Sequence, residues 1–533
     1  MRKVCSILLV LAMLLSMLAL PAYAEEKIVL TIAIPDNVKV EDYNTNEMTL
    51  QLEELLGYDL QFTVIPSTDY RDKINLMVQS GDKLPDIIIC SGFSTDLIYS
   101  WALEGALAPM TEYYEDAELA ANIQNIYNEV GDFRSMIILP DGEIYQIPSY
   151  PRSNINEQCS RLFLNTPLLN ELGLETPTTT DELLDVLRKL KASSPDMVGV
   201  AGADGIYGMP SKNSWFDYFM NAFVYSDGVN NFMKIDDGVL SFAYTTEEWK
   251  EGLKYIKQLF DEGLIAKESL TQNTEQYTSL INSCEVIGIS NISPMHFTDE
   301  RKDTFTVIEP VAGPNGLRVA RYNPSVPSNG MLITADCEHP EAAFKLGDTL
   351  VNRHWTVTNR WGQQGRDWDW WEDYQKTIEN YNEADWSATN PTAEKLIYVY
   401  DDASFWGSGT MQNRAWMSIG PAIRGANVAD GRVINANNVA PYTLNQAVGG
   451  MMYPPFYPDE YISTLIYTAE EGEVMSEVLT NLQTYVSLTT SNWLLGNGDI
   501  DAEWDAFQAE IVKIGIEQAR EIAQAAYDRS IGK

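Results

Sequence analysis

The chain runs to 533 residues, more than one compact core organises, so two or more domains are expected. Its 36 Lys and Arg stand against 76 Asp and Glu, a formal net charge of −40 with no basic run, which disfavours a nucleic-acid or anionic-membrane partner and suits solubility in an exposed compartment. At 45% hydrophobic and 21% charged residues the composition is that of an ordinary globular protein.

Arg2 and Lys3 precede an apolar run at 7–20 broken only by Ser16, and Pro21-Ala22-Tyr23-Ala24 ends in a small-x-small pattern. That order reads as a signal peptide over 1–24, with Glu25 as the mature start. The run is short for a membrane span, which needs about 20 residues, and no later segment qualifies. The mature protein is therefore expected to be exported, at the cell surface or in the periplasm. Cys5 lies before the apolar run, so no lipoprotein cysteine stands at the expected cleavage site. Cys90, Cys159, Cys284 and Cys337 are widely spaced and form no C-x-x-C pair; Cys90 reads as a buried strand thiol.

Residues 27–34 read as a strand closed by Pro35-Asp36. Leu52, Leu55 and Leu56 mark one face of a helix that Gly57 stops. Leu60, Phe62 and Val64 alternate with Gln61 and Thr63 at strand spacing, a helix carrying Ile74, Met77 and Val78 stops at Gly81, and the apolar run to Cys90 suits a strand buried on both faces. Strand, helix, strand, helix, strand implies a parallel sheet covered by helices. A second α/β region opens at Arg161-Leu162-Phe163-Leu164-Asn165, followed by a helix with Thr179 and Glu182 as a capping box and an inner stripe of Leu183, Leu187 and Leu190. An amphipathic helix is predicted over 247–260, strands at 286–289, 306–308 and 331–333, a helix after Pro340, and one long terminal helix after Asp499 bearing Trp504, Phe507, Ile511 and Ile514.

Ser80-Gly81-Asp82-Lys83-Leu84-Pro85-Asp86, Gly105-Ala106-Leu107-Ala108-Pro109-Met110, Asp141-Gly142-Glu143-Ile144-Tyr145-Gln146-Ile147-Pro148, Leu172-Gly173-Leu174 before Pro177-Thr178-Thr179, and Asp499-Ile500-Asp501-Ala502-Glu503-Trp504 occur in an order and spacing that resemble the family 1 extracellular solute-binding proteins, the carbohydrate receptors of ABC importers. The resemblance implies a two-lobed, periplasmic-binding-protein-like α/β fold with hinge-linked, interleaved lobes. Carried onto this chain, it places crossings near Tyr150, Ser290 and Asp336, with lobe 1 formed by 25–150 plus 293–336 and lobe 2 by 151–292 plus 337–533. It further implies a monomer that captures a carbohydrate, an oligosaccharide by its type, between the lobes without chemistry and delivers it to membrane permease subunits. Missing the family's usual lipoprotein cysteine bears on tethering only.

Sugars offer apolar faces edged by hydroxyls, so a binder needs aromatic platforms and planar polar groups. Candidate ligand-binding residues are Trp361, Arg366 and Trp368 from the tryptophan-rich stretch 355–371, Trp215 after a turn-rich segment, Tyr322, and Trp406. Tyr150 is added by its place beside the first crossing. Asp36 and Asn37 after the first strand, and Ser91 and Gly92 after the third, would edge the crevice where open α/β sheets hold ligands. No catalytic residue, cofactor or metal is expected: His296, His339 and His354 lack ligand spacing, and Asn230, Asn231, Asp236 and Asp237 do not follow an EF-hand. The rival reading is a secreted carbohydrate-active enzyme of the glycoside hydrolase type, which needs two carboxylates flanking a cleft.

Overall fold

The computed structural model describes residues 27–531, apart from 91–92, 152–160, 209–214, 292–297, 383–396, 400–412, 425–451 and a few isolated positions. Its first half-sheet follows from the alternation at the start of the chain. Strand β1 (Ile28–Pro35) turns Leu30, Ile32 and Ile34 toward α1 (Glu47–Leu56), where they meet Met48 and Leu52. Its opposite face offers Ala33 to Tyr70, Ile74 and Val78 of α2 (Tyr70–Ser80). Strand β2 (Tyr58–Ile65) and β3 (Ile87–Ile89) run parallel to β1 on either side, and β3 is buried throughout. Gly57 and Gly81 end α1 and α2 with φ of +74° and +68°, left-handed geometry that glycine adopts without a Cβ penalty. Helices α3 (Thr95–Leu103) and α4 (Ala121–Val130) follow, and β4 (Gln146–Pro151) leads out of this lobe.

The second lobe is built on β5 (Arg161–Asn165), wholly buried, and α5 (Thr180–Ser193), whose Leu183, Leu187 and Leu190 face the core. Thr179 caps α5 through the Glu182 N–H at 3.2 Å, while the Glu182 carboxylate reaches Thr178, one residue earlier than a capping box requires. A hairpin of β6 (Met233–Asp236) and β7 (Val239–Phe242) precedes α6 (Glu247–Asp261). Strands β8 (Gly288–Asn291) and β9 (Phe305–Ile308) flank β5 antiparallel, in the order β8-β5-β9.

The chain then returns to lobe 1. Strand β10 (Ser328–Ile333) inserts between β3 and β4, antiparallel to both. Helices α7 (Pro340–Leu350) and α8 (Arg353–Trp361) pack Phe344, Leu346, Leu350 and Trp355 into the core holding β1. Strand β11 (Trp368–Trp370) pairs with β12 (Ile397–Val399), and β13 (Ala422–Arg424) joins β4 in parallel. Lobe 1 thus carries a six-stranded sheet in the order β13-β4-β10-β3-β1-β2. The last helices, α9 (Ala469–Leu494), α10 (Ile500–Ile514) and α11 (Ile516–Ser530), close the lobe 2 core against α6.

These contacts redraw the expected lobe boundaries. The chain does not leave lobe 2 near Ser290, because β9 pairs with β5, and Val311 and Ala320 join lobe 2 clusters. Nor does it leave lobe 1 near Asp336, because α7 and α8 cover β4 and β10 and β13 extends the same sheet. The passages between lobes fall after β4, between Tyr322 and β10, and between β13 and Tyr453. The expected single terminal helix is two, broken at Gly515, whose φ is +117°.

Candidate functional site

In the lobe 1 sheet, β1, β2, β3, β4 and β13 all point their carboxyl ends to one edge, and β10 begins there. The chain winds from β1 outward to β2 and then back to β3, so the switch point lies between β1 and β3. Ligands of open α/β sheets bind in the crevice beyond such a point. Tyr70 ties the two strand ends together, its hydroxyl donating toward Ala33 O at 3.0 Å and Ile89 O at 2.6 Å. Directly beyond lies a crevice of about 440 Å³ whose lining includes Cys90, Phe93, Thr95, Ser149, Ser328 and Ser418.

Each lining residue is placed by a local cause. The Cys90 N–H bonds Gly330 O at 3.0 Å, holding the end of β3 to β10, and burial pushes its thiol well above the usual range. Phe93 is set edge-on against Trp101 at 5.0 Å and tilted on Tyr70 at 5.9 Å. Ser94 caps α3, accepting from Leu97 N at 3.3 Å, so the helix begins at the crevice rim. Ser328 donates to Ser149 O at 3.0 Å and joins the strands on both sides of two lobe passages. The described lining thus offers hydroxyls, backbone groups and one ring, and no charged side chain. Larger spaces exist, about 880 Å³ beside Lys27, Lys73 and Asp86 and about 820 Å³ between Leu139 and Tyr527. Neither is lined by Cys90, Ser149 or Ser328, the strand ends beside the lobe passages.

The family model for bacterial extracellular solute-binding proteins matches residues 46–353, more than half of the sequence. The chain belongs to that family. Members bind solutes rather than transform them, and the family's place is outside the cell. A curated relative, the fructooligosaccharide ABC transporter substrate-binding protein FusA of Streptococcus pneumoniae serotype 4, is 25% identical over 500 residues, covering 92% of this chain and 88% of its own. The solved structure of S. pneumoniae FusA with kestose superposes with a TM-score of 0.68 at 22% identity, over 95% of this chain and 99% of that one. A human-milk-oligosaccharide (HMO) binding solute-binding protein from Bifidobacterium longum infantis reaches a TM-score of 0.71 at 17% identity, over 95% and 99%. These likenesses carry the two-lobed α/β fold of periplasmic binding proteins.

Within this solute-binding protein the residues singled out from sequence part company. Asp36 and Asn37 stand at the carboxyl edge, but Asp36 accepts from Ser67 N at 2.6 Å and Asn37 from Lys39 N at 3.0 Å, and neither lines the crevice. Ser91 and Gly92 lie outside the described residues, between Cys90 and Phe93, which do line it. Tyr150 is buried in lobe 1, edge-on to Phe133 at 5.8 Å, next to the lining residue Ser149. Trp406 also lies outside the described residues.

The tryptophans need correction. Trp215 is a lobe 2 core ring, 1% exposed, packed on Phe216 and Phe260 and donating to Ser269 O at 3.2 Å. Trp361 and Trp368 are likewise buried, in a small lobe 1 cluster with Val357, Ala415 and Met417. Arg366 reaches Glu47 at 2.7 Å and Asp367 at 3.3 Å, pinning α1 to the tryptophan-rich segment. Tyr322 lies tilted on Tyr457 at 4.5 Å and meets Tyr461 edge-on at 4.7 Å beside the second passage. Sequence reasoning missed Phe93, Ser94, Thr95, Ser149, Ser328 and residues 418–420. Ser94, a cap just beyond a buried strand, carried a readable signal; the rest meet only through folding. Among the described residues no group of three His, Cys, Asp or Glu gathers to hold a metal ion, and no helix is long and apolar enough to cross a membrane.

Proposed function

We propose that this protein captures a neutral oligosaccharide in the crevice at the carboxyl edge of the lobe 1 sheet and presents it, unreacted, to the permease subunits of an ABC importer. The observation that carries the reading is the crevice itself, where hydroxyls and one aromatic ring converge beside the lobe passages. Such a surface suits ligands whose own hydroxyls exchange hydrogen bonds with it. The ligands of the related FusA, fructooligosaccharide and kestose, supply the chemical class. Lobe closure over the bound sugar adds contacts on its second face, and the closed form is what a permease distinguishes from the open one. The protein acts as a monomer, exported to the cell surface or the periplasm.

Titration calorimetry against kestose, maltotriose and a trigalacturonate tests the reading, with chromatography of the recovered sugar. Saturable heat with a neutral sugar recovered intact is expected. Shortened products would move the protein to the glycoside hydrolases, and heat only with trigalacturonate would reverse the preference for neutral ligands.

A further inference from the structure

The segment 413–420 carries no regular structure, yet its backbone is fastened at almost every residue. Asn46 Nδ2 donates to Ala415 O at 3.1 Å and Gln363 Nε2 to Arg414 O at 2.9 Å. Trp416 Nε1 donates to Thr49 Oγ1 at 3.0 Å. Trp361 and Trp368 pack on Ala415 and Met417. The segment ends in a turn where Met417 and Ser418 take φ of +58° and +69° and Gly420 takes +94°. Two successive side-chain-bearing residues in left-handed geometry store strain and persist only where the surroundings over-determine them.

Asn359 of α8 does this. It is fully buried, and its Oδ1 accepts from Ser418 N at 3.1 Å while its Nδ2 donates to Ile419 O at 3.0 Å; the same Ser418 N–H also meets Asn359 O at 3.0 Å. Residues Ser418, Ile419 and Gly420 form one wall of the crevice. Ser418 Oγ is buried without a hydrogen-bond partner, alone among the side-chain atoms of the described lining. A buried hydroxyl left unpaired at a ligand-sized cavity calls for a partner from the ligand.

We propose that Asn359 is a positioning residue for ligand recognition: it holds the strained turn 417–420 against the crevice so that Ser418 Oγ takes a hydroxyl of the bound sugar as its hydrogen-bond partner. The tryptophans behind the turn brace it and do not touch the ligand. This rests on the oligosaccharide reading above.

Calorimetry on the full mature chain, with kestose and maltotriose as probes, tests it. For the sugar that wild type binds, Ser418→Ala is expected to weaken affinity about 3- to 10-fold, the worth of one hydrogen bond, with an unchanged melting temperature. Asn359→Ala is expected to weaken it more than 10-fold. Glycine adopts left-handed φ without strain, so in a Ser418→Gly background Asn359→Ala should add less than a further 2-fold; a merely structural Asn359 would add its full effect in both backgrounds. Wild-type affinity in Ser418→Ala, or full additivity in the double variant, overturns the proposal. Should Asn359→Ala fail to fold, Ser418→Ala alone decides it. Wild type binding neither sugar would sink the oligosaccharide reading first and this proposal with it.

Discussion

Asp217 lies fully buried in lobe 2, accepting from Ser226 Oγ at 2.6 Å and Gly228 N at 3.1 Å, with Arg321 Nη1 at 3.8 Å. Arg321 pairs more closely with Asp227, Nε to Oδ1 at 2.6 Å, so burial outweighs its help and pushes the Asp217 carboxyl up to about 7. A carboxyl raised in the folded state contributes stability that is complete below its unfolded value and is lost as pH rises through about 7. Asn at this position imitates the protonated acid. Thermal melts from pH 4 to 8 should therefore show wild type losing stability relative to Asp217→Asn as pH rises; a constant difference would refute the shift. Trp215 shows the limit of reading single residues. Its ring chemistry suits a sugar platform as well as a core, and only the closeness of Phe216, Phe260 and Ser269 O settles which.

At the scale of elements, periodicity was informative wherever a helix or strand keeps one face in the core. The stripe in α5, the stop at Gly81 and the all-apolar β3 were legible because burial of each depends on residues close in sequence. Helix α9 escaped notice although Met475, Val478, Leu482, Val486 and Trp493 repeat at helical spacing, because the intervening Thr, Ser and Asn dilute the signal. Its start is well defined: Thr468 Oγ1 accepts from Glu471 N at 3.2 Å and the Glu471 carboxylate accepts from Thr468 N at 2.9 Å. Thr468→Ala should lower unfolding free energy by about 1 kcal/mol in urea titration. Glu471 also pairs with Arg529 of α11 at 2.5 Å, so Glu471→Ala should add to that loss through the partly exposed pair by no more than about 1 kcal/mol.

For the whole molecule, the passages between lobes matter more than any one contact. Among the described residues the chain changes lobe three times, and the segment leading into α9 touches both lobes, with Ile466 against the lobe 1 cluster holding Trp101 and Tyr467 against the lobe 2 core. Such a joint permits rigid-body closing while each lobe keeps its core. Small-angle scattering should show the radius of gyration falling when a bound oligosaccharide is added, and a curve unaltered at saturation would count against closure as the signal to a permease.

The amino-acid order by itself determined the acidic charge balance, the parallel β-α-β start of lobe 1 and the likeness to solute-binding proteins, since each is written in neighbouring residues or in periodic burial. The tertiary structure alone decided which strands share a sheet, where the chain passes between lobes, and which side chains meet at the crevice. Ser149, Ser328 and Ser418 come from β4, β10 and an irregular turn, brought together only when β10 inserts between β3 and β4. Pairing between strands more than a hundred residues apart leaves no local periodicity to read, and a tryptophan's destination depends on which wall forms in front of it.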